Sequence, residues 1–234
     1  MSAKEPRVAV VTGANRGIGL EVCRQLAERG MTVILTSRDR DRGEAAATGL
    51  AQRGLDVRAR PLDVADATSA ERFAGWAREH LGHVDVLVNN AAIDYDTDQR
   101  AVAADLERVE RAWQTNTLGA WRITLALLPL LRAGTHARIV NVSSEAGSIS
   151  EIGPGTPGYR VTKAALNALT RIVASELRGE RILVNAVCPG WTATEMGGGG
   201  RAIPAGAASV IWAAVLQDDG PTGGFFRDGQ ALAW

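Results

Sequence analysis

The chain has 234 residues, and its 26 Lys and Arg residues balance 26 Asp and Glu residues, so the formal net charge is zero. This length suits one α/β domain with a substantial core. The charge balance argues against partners recruited by charge, so neither nucleic acid nor a membrane surface is expected. Because cysteines are few, residues 1–7 are polar and no apolar run has membrane-spanning length, we expect a cytoplasmic protein without a signal peptide.

Short apolar runs alternate with helical patterns along the chain. Strands are predicted at residues 8–11, 32–36, 55–62, 84–89, 138–142, 181–187 and 224–226. Helical patterns begin at the end of a glycine-rich turn and at Pro157, and others cover about 41–53, 66–81 and 105–132. This alternation predicts a single domain over 1–234, an α/β Rossmann-type, doubly wound parallel sheet of about seven strands with helices on both faces.

The first predicted strand leads into a glycine-rich turn, TGANRGIG at residues 12–19. Such a turn lets the backbone approach a pyrophosphate, and the following helix supplies N–H groups and a positive dipole. The phosphate loop of nucleotide triphosphatases needs Lys and then Ser or Thr after its second glycine, whereas Gly17 is followed by Ile18 and Gly19. The turn therefore predicts a dinucleotide site; a tight turn without a ligand is the alternative.

The end of the second predicted strand bears on the choice of cofactor. A carboxylate there would bind the ribose 2′-OH of NAD, whereas an arginine suits the 2′-phosphate of NADP. Arg38 follows this strand and Arg16 lies inside the glycine-rich turn, so two guanidiniums could bind one phosphate. We predict NADP(H), although Asp39 leaves NAD open and both arginines could be solvated instead.

Polar residues also follow the third and fourth predicted strands. Asp63 comes after the third strand, and Asn90 and Ala91 come after the fourth. Ligands of open α/β sheets bind beyond the carboxyl ends of the strands, so these residues could border the cofactor. They could also be turn residues that bond their own backbone.

Residues 94–98, DYDTD, look like the start of a calcium-binding loop. The likeness ends at Gln99, where the loop needs glycine, and at Asp105, where it needs a bidentate glutamate. No Asp, Glu or Cys lies near the histidines at the spacing that metal ligands require. We predict no metal site and interpret 94–98 as a solvated loop that could lie near the substrate.

Asn116 falls within the apolar stripe of the predicted helix 105–132. A buried asparagine loses about 1–3 kcal/mol for each group that finds no partner. It could be a structural residue that backbone groups satisfy. It could equally hold a water or a lysine, and a neighbouring motif supplies such a lysine.

The fifth predicted strand leads into Ser143 and Ser144, and the helix that begins at Pro157 carries Tyr159 and Lys163 on one face. A tyrosine normally titrates near about 10, but a nearby lysine cation would favour the phenolate and lower the pKa. A serine can hydrogen-bond to a carbonyl oxygen without a histidine. The G-x-S-x-G pattern of α/β-hydrolases does not surround these serines.

A lone Tyr-x-x-x-Lys spacing is common by chance, but here it occurs with other motifs in a fixed order. These are TGxxxGxG at 12–19, NNA at 89–91, Asn116, Ser144, Tyr159, Lys163 and PG at 189–190. Together they resemble the short-chain dehydrogenase/reductase family over nearly the whole chain. NVSS at 141–144, CPGW at 188–191 and residues 220–229 resemble its carbonyl-reductase-like branch.

The resemblance implies hydride transfer between a nicotinamide and the carbonyl of a small aldehyde or ketone, reversible with the alcohol. It implies that Tyr159 donates the proton, that Ser144 orients the substrate oxygen, and that Lys163 lowers the tyrosine pKa and holds the ribose. Asn116 would hold a water that relays protons to Lys163. Ser143 is the alternative to Ser144, because the two are adjacent.

The resemblance also implies contacts to the cofactor. Asp63 would face the adenine, Asn90 the adenosine ribose, and Thr194 the nicotinamide carboxamide. The full implied set is Gly13, Asn15, Arg16, Gly17, Ile18, Gly19, Arg38, Asp63, Val64, Asn90, Ala91, Tyr159, Lys163, Pro189, Gly190, Thr192 and Thr194.

The chain departs from the family near the substrate. Between Ser144 and Tyr159 there is no large insertion of the kind that keeps some carbonyl reductases monomeric, and the helix after Tyr159 is apolar on two sides. We therefore expect a homodimer or homotetramer through this helix and the helix that carries Trp113 and Trp121.

The substrate loop, predicted at 190–208, is short and glycine-rich where the family usually has a helical lid. It predicts an open pocket and broad specificity, with Tyr95 and Trp191 as apolar contacts of a small-molecule substrate. Two other functions stay open: an NAD-linked alcohol dehydrogenase, and a non-catalytic dinucleotide-binding redox sensor or scaffold.

Overall fold

The computed structural model describes residues 6–234. Its strands are β1 (Val8–Val11), β2 (Thr32–Ser37), β3 (Val57–Pro61), β4 (Val86–Asn89), β5 (Arg138–Val142), β6 (Leu183–Val187), β7 (Phe225–Arg227) and β8 (Gln230–Ala231). Its α-helices are α1 (Gly17–Ala27), α2 (Arg40–Ala51), α3 (Ala67–His80), α4 (Leu106–Trp113), α5 (Ala120–Ala133), α6 (Pro157–Glu176) and α7 (Ile203–Ala214). A π-helical turn, Gln114–Gly119, joins α4 to α5.

The strands form one sheet in the order β3-β2-β1-β4-β5-β6-β7-β8. Neighbouring strands from β3 to β7 are parallel, and β8 returns antiparallel to β7. The predicted doubly wound α/β fold is confirmed. The strand order reverses between β1 and β4, and ligands of such sheets bind beyond the carboxyl ends of the strands at that point.

Both faces of the sheet are covered because successive side chains of a strand point to opposite sides. Ala9 and Val11 of β1 belong to the apolar cluster under α1 and α7, which contribute Val22 and Val210. Val10 faces the other cluster, under α3 and α5. No helix in residues 6–234 combines the length and apolarity that a bilayer crossing requires.

The eighth strand is missing from the sequence prediction. Its residues Gln230 and Ala231 are exposed and too few to form an apolar run. A usable signal lies beside it: Asp228 and Gly229 both have positive φ, 51° and 78°, as a two-residue hairpin turn requires. The Asp-Gly pair therefore predicts this hairpin better than hydrophobicity does.

The predicted substrate loop 190–208 ends too late. Helix α7 begins at Ile203, so its first turns occupy the end of that range, and the loop covers 190–202. Gly206 looks like a loop residue in the sequence, but it is buried in the helix against Thr192, whose Oγ1 would lie 2.5 Å from an added Cβ. Close packing rather than chain flexibility explains this glycine.

Candidate active site

The glycine-rich turn between β1 and α1 is packed tightly against the loop that follows β4. Gly13 has φ +61°, and a Cβ on it would lie 2.8 Å from the Cα of Ala91. At Gly19 an added Cβ would lie 2.5 Å from the Nδ2 of Asn90. Larger residues would separate the two loops, so these glycines fix the shape of the turn.

Thr12 and Asn90 hold the same two loops together. The Oγ1 of Thr12 accepts from the backbone N–H groups of Asn90 and Ala91, both at 3.0 Å. The Nδ2 of Asn90 donates to the carbonyls of Thr12 and Gly13 at 2.8 and 3.0 Å. The side chain of Asn90 therefore stabilises the turn, and both N–H groups of its amide are bound to backbone carbonyls of the turn.

A cleft of about 430 Å³ opens at the switch point of the sheet. Most of the predicted cofactor residues line it: Gly13, Asn15, Arg16, Gly17, Ile18, Gly19, Arg38, Asp63, Val64, Asn90, Ala91, Tyr159, Lys163, Pro189 and Thr194. Gly190 and Thr192 do not line it. Thr192 is buried, and its hydroxyl donates to the carbonyls of Pro189 and Gly190 at 3.3 and 3.0 Å, so it shapes the loop instead.

Ser143, the alternative to Ser144, also lines the cleft, together with residues that the sequence does not predict: Leu62, Ala92, Ile93, Thr115, Val142, Ala193, Glu195, Met196 and Ile203. Most are sequence neighbours of predicted ones. Glu195 is different, because its carboxylate contacts the guanidinium of Arg16 across the cleft. In the sequence, the only indication that Glu195 lies at the site is that it directly follows Thr194.

The charged groups at the adenosine end of the cleft favour a phosphate. Arg16 and Arg38 both line the cleft. Asp39 is the N-cap of α2: its Oδ1 accepts from Arg42 N at 3.0 Å, and its carboxylate also pairs with the Arg42 guanidinium at 3.2 Å. The carboxylate that could have bound a ribose 2′-OH is therefore engaged in a helix cap.

Of the catalytic residues implied by the resemblance, Tyr159 and Lys163 line the cleft, whereas Ser144 and Asn116 do not. Tyr159 lies in the first turn of α6 and lines the cleft. Ser144 precedes the short turn Glu145–Gly147, and its Oγ accepts from Ala146 N at 3.1 Å. Burial raises the pKa of the Tyr159 phenol, and a hydrogen bond with Ser144 opposes this rise.

This direction contradicts the expected lowering of the tyrosine pKa by Lys163. The Nζ of Lys163 lies 5.5 Å from the centre of the Tyr159 ring and donates instead to the carbonyl of Val142 at 2.8 Å. Lys163 is only 2% exposed, and burial lowers its own pKa from 10.5 to about 8. Burial is the largest cause of the pKa shift for both groups, and each shift favours the neutral form.

The two adjacent serines have different surroundings. Ser143 is buried, and its Oγ donates to the Oδ1 of Asn167 at 2.6 Å. The Ser143 hydroxyl is thus bound to a side chain of α6, whereas Ser144 hydrogen-bonds with the Tyr159 phenol. The geometry favours Ser144 as the serine beside the reacting oxygen.

Asn116 lies in the π-helical turn and is 1% exposed. Its Oδ1 accepts from Ile93 N at 2.8 Å, and its Nδ2 donates to Ile93 O and to the Oγ1 of Thr162, both at 3.1 Å. Both N–H groups therefore have protein partners, and the side chain contacts neither Lys163 nor the cleft. These contacts match the structural alternative and give no support to a water held by the side-chain amide.

The two predicted substrate contacts differ. Tyr95 packs edge-on against the ring of Tyr159, with ring centres 5.0 Å apart and an angle of 85°. Trp191 is 71% exposed, does not line the cleft, and donates from Nε1 to the carbonyl of Gly197 at 2.7 Å within its own loop. The structure brings Tyr95, but not Trp191, to the catalytic group.

Loop 94–98 does not form a cation site. The guanidinium of Arg108 binds Asp94 and Asp98, and Asp96 points into the protein. Within residues 6–234, no three His, Cys, Asp or Glu side chains gather as metal ligands would.

Comparison with known proteins identifies the family. The chain matches the short chain dehydrogenase family over residues 7–202. It is 34% identical to carbonyl reductase (NADPH) 1 of Sus scrofa, over 97% of this chain and 94% of that protein. It is also 34% identical to (+)-neomenthol dehydrogenase of Arabidopsis thaliana, over 97% of both chains.

A solved structure agrees with these sequence relatives. The NADPH-bound carbonyl reductase from chicken fatty liver matches with a TM-score of 0.88 and 29% identity, over 99% of this chain and 100% of that one. The chain therefore belongs to the short-chain dehydrogenase family, as its motifs predicted.

Proposed function

We propose that this protein is an NADPH-dependent reductase that transfers a hydride to the carbonyl of a small aldehyde or ketone, reversibly with the alcohol. The observation that carries the proposal is that Tyr159 and Lys163 line the same cleft as the glycine-rich turn, with Ser144 beside the phenol. A protein that only binds a dinucleotide needs no proton donor at this place. The relatives named above as NADPH carbonyl reductases support the same activity.

The start of α1 fits the pyrophosphate of a dinucleotide. Helices α2, α3 and α4 are capped by aspartates, Asp39, Asp66 and Asp105, which accept from backbone N–H groups. The N-cap of α1 is Arg16, which makes no capping hydrogen bond, and no acidic residue lies in the first turn. Its N–H groups and positive dipole are thus left for an anion.

The adenosine end fits NADP(H) better than NAD(H). Arg16 and Arg38 would bind the 2′-phosphate, and the cap formed by Asp39 leaves no free carboxylate for a 2′-OH. Asp63 and Val64 would border the adenine, and Thr194 the nicotinamide side of the cleft.

When bound, NADPH supplies the hydride that reaches the carbonyl carbon. Tyr159 donates the proton to the carbonyl oxygen, and its raised pKa keeps the phenol protonated at neutral pH. Ser144 offers a second hydrogen bond to the same oxygen. Lys163, whose pKa is about 8, carries its charge at neutral pH and stabilises negative charge that develops on the phenol.

The substrate enters from the side of Tyr95 and loop 190–202. We propose broad specificity for small carbonyl compounds, because this loop is glycine-rich and the ring of Tyr95 packs next to the phenol. We also propose a homodimer or homotetramer through α5 and α6, whose Trp121, Leu125, Val161 and Ile172 are exposed.

Turnover of a panel of aromatic and aliphatic carbonyls, followed by NADPH oxidation, tests the proposal. We expect several substrates to react and NADPH to be preferred over NADH. Stronger binding of NADH together with alcohol oxidation would instead indicate an NAD-linked dehydrogenase. Tight NADPH binding without turnover of any carbonyl or alcohol would indicate a non-catalytic sensor or scaffold.

A further inference from the structure

We infer that Asp96 is a positioning residue whose buried carboxylate fixes the start of α6 and thereby the place of the Tyr159 phenol. This inference rests on the proposed function, which gives that phenol its role. The sequence predicts a solvated loop at 94–98, yet Asp96 is only 2% exposed. A buried carboxylate requires specific partners.

Its partners are the first N–H groups of α6. Pro157 has no N–H, and Thr156, the residue before the helix, has φ 45° and makes no side-chain capping hydrogen bond. The Oδ2 of Asp96 accepts from Gly158 N at 2.8 Å, and Oδ1 accepts from Tyr159 N at 3.0 Å. A carboxylate from a distant loop thus caps the helix and complements its dipole.

Gly158 permits this close approach. A Cβ at this position would lie 3.1 Å from the Oδ2 of Asp96 and 3.2 Å from the Cγ2 of Val109 on α4. Any side chain would push the loop or α4 away from the start of α6. The absence of a side chain at Gly158 therefore allows the carboxylate of Asp96 to reach the start of α6.

The loop that carries Asp96 is itself anchored. Arg108 of α4 donates to Asp94 at 2.6 Å and to Asp98 at 2.8 Å. Tyr95, between them, packs edge-on against the Tyr159 ring. Loop 94–98 therefore contacts both the backbone and the ring of Tyr159, and Arg108 attaches this loop to α4, which carries none of the proposed catalytic residues.

Position matters because Ser144 and Tyr159 come from different elements. Ser144 follows β5, whereas Tyr159 moves with α6, so a shift of α6 along its axis changes the distance between the two hydroxyls. A misplacement of about 1 Å can cost on the order of 100-fold in rate. Removal of the Asp96 cap should therefore slow proton donation more than it weakens cofactor binding.

The test compares Asp96→Ala and Asp96→Asn with a control, Asp98→Asn, in the full chain. Asp98 lies in the same loop, but its side chain is 64% exposed and bonds Arg108 of α4 and the neighbouring Gln99, not the start of α6. We expect Asp96→Ala to lower kcat by about tenfold or more with the NADPH Kd within about twofold, and to raise the solvent isotope effect on kcat. Asp96→Asn keeps one acceptor oxygen and should retain more activity; Asp98→Asn should behave like the wild type.

Amide hydrogen exchange of the peptide covering 157–163 gives a readout without turnover, and it should speed up in both Asp96 variants. If Asp96→Ala does not fold, Asp96→Asn carries the test. Unchanged exchange, or a kcat loss no larger than in Asp98→Asn, in an active enzyme would overturn the positioning role alone. A wild type that turns over no carbonyl would overturn the proposed function and this role with it, whereas faster exchange would still show the cap.

Discussion

At the scale of single residues, the site is built from groups whose burial opposes their charged forms. Lys163 and Tyr159 each shift toward the neutral form, since neither contacts an opposite charge in the cleft. The chain contains only two lysines, Lys4 and Lys163. A lysine-labelled NMR titration can therefore follow Lys163 directly, and we expect it to titrate near 8.

Burial of Lys163 should also cost stability at neutral pH. The folded pKa of about 8 lies below the unfolded value of 10.5, so between these values the unfolded chain binds more protons and stability rises with pH. Lys163→Met should therefore raise the Tm of the cofactor-free protein at pH 7 by a few degrees. This corresponds to a net gain of about 1–2 kcal/mol in the free energy of unfolding, after the loss of the hydrogen bond to Val142 O is subtracted.

Calorimetry at several pH values checks this prediction. The gap in Tm between Lys163→Met and the wild type should be constant below pH 8 and should narrow as the pH rises toward 10.5. A gap that stays constant over that range, or a variant less stable at pH 7, would show that the buried amine is not destabilising.

At the scale of elements, loop 190–202 contacts the cofactor side of the cleft through Glu195. Its carboxylate forms an ion pair with the guanidinium of Arg16, which the proposed 2′-phosphate would also bind. Glu195→Gln removes this competitor and should tighten NADPH binding by about two- to fivefold, because exposed ion pairs are worth about 1 kcal/mol or less. NADH, which has no 2′-phosphate, should bind unchanged.

Fluorescence titration of both cofactors measures the effect, and Arg16→Ala with Glu195→Gln is the control. The double variant should show no gain for NADPH over Arg16→Ala alone. Equal tightening of NADH, or weaker NADPH binding, would contradict competition and would indicate that Glu195 helps to hold the cofactor.

Elements also show what the sequence could predict. The glycine-rich turn and the strands β1 to β7 follow from local glycines and local apolar runs, so the sequence predicts them to within a few residues, whereas it does not predict β8. The cap of α6 depends on Asp96, which is 62 residues from the N–H it accepts from, and no local pattern announces it. The sequence also placed the end of the substrate loop too late, at residue 208, because the contact of Gly206 with Thr192 inside α7 leaves no local signal.

The pKa directions were not predictable for a related reason. The spacing of Tyr159 and Lys163 shows that they share a helix face, but it does not show how deeply each is buried or that Lys163 bonds the carbonyl of Val142. Burial decides the sign here, and burial belongs to the tertiary structure.

At the scale of the whole molecule, α5 and α6 expose apolar side chains that a monomer would leave in water. Leu125 is 59% exposed on α5 and Val161 is 51% exposed on α6. Light scattering at micromolar concentration should give the mass of a dimer or tetramer, and Leu125→Asp should reduce that mass. Ile149→Asp is the matched control, because Ile149 is 65% exposed on a loop outside both helices. A monomer only, in the wild type, would refute the assembly.

In the proposed reaction, the phenol of Tyr159 gives the proton to the substrate oxygen. The chain has only two tyrosines, so Tyr95→Phe is a matched control for Tyr159→Phe. NADPH binding and single-turnover reduction of one carbonyl, measured for both variants, test the claim most directly. We expect Tyr159→Phe to bind NADPH like the wild type but to reduce the carbonyl about 10²–10⁴ times more slowly, while Tyr95→Phe stays within a few-fold. Near-normal reduction by Tyr159→Phe would contradict the claim.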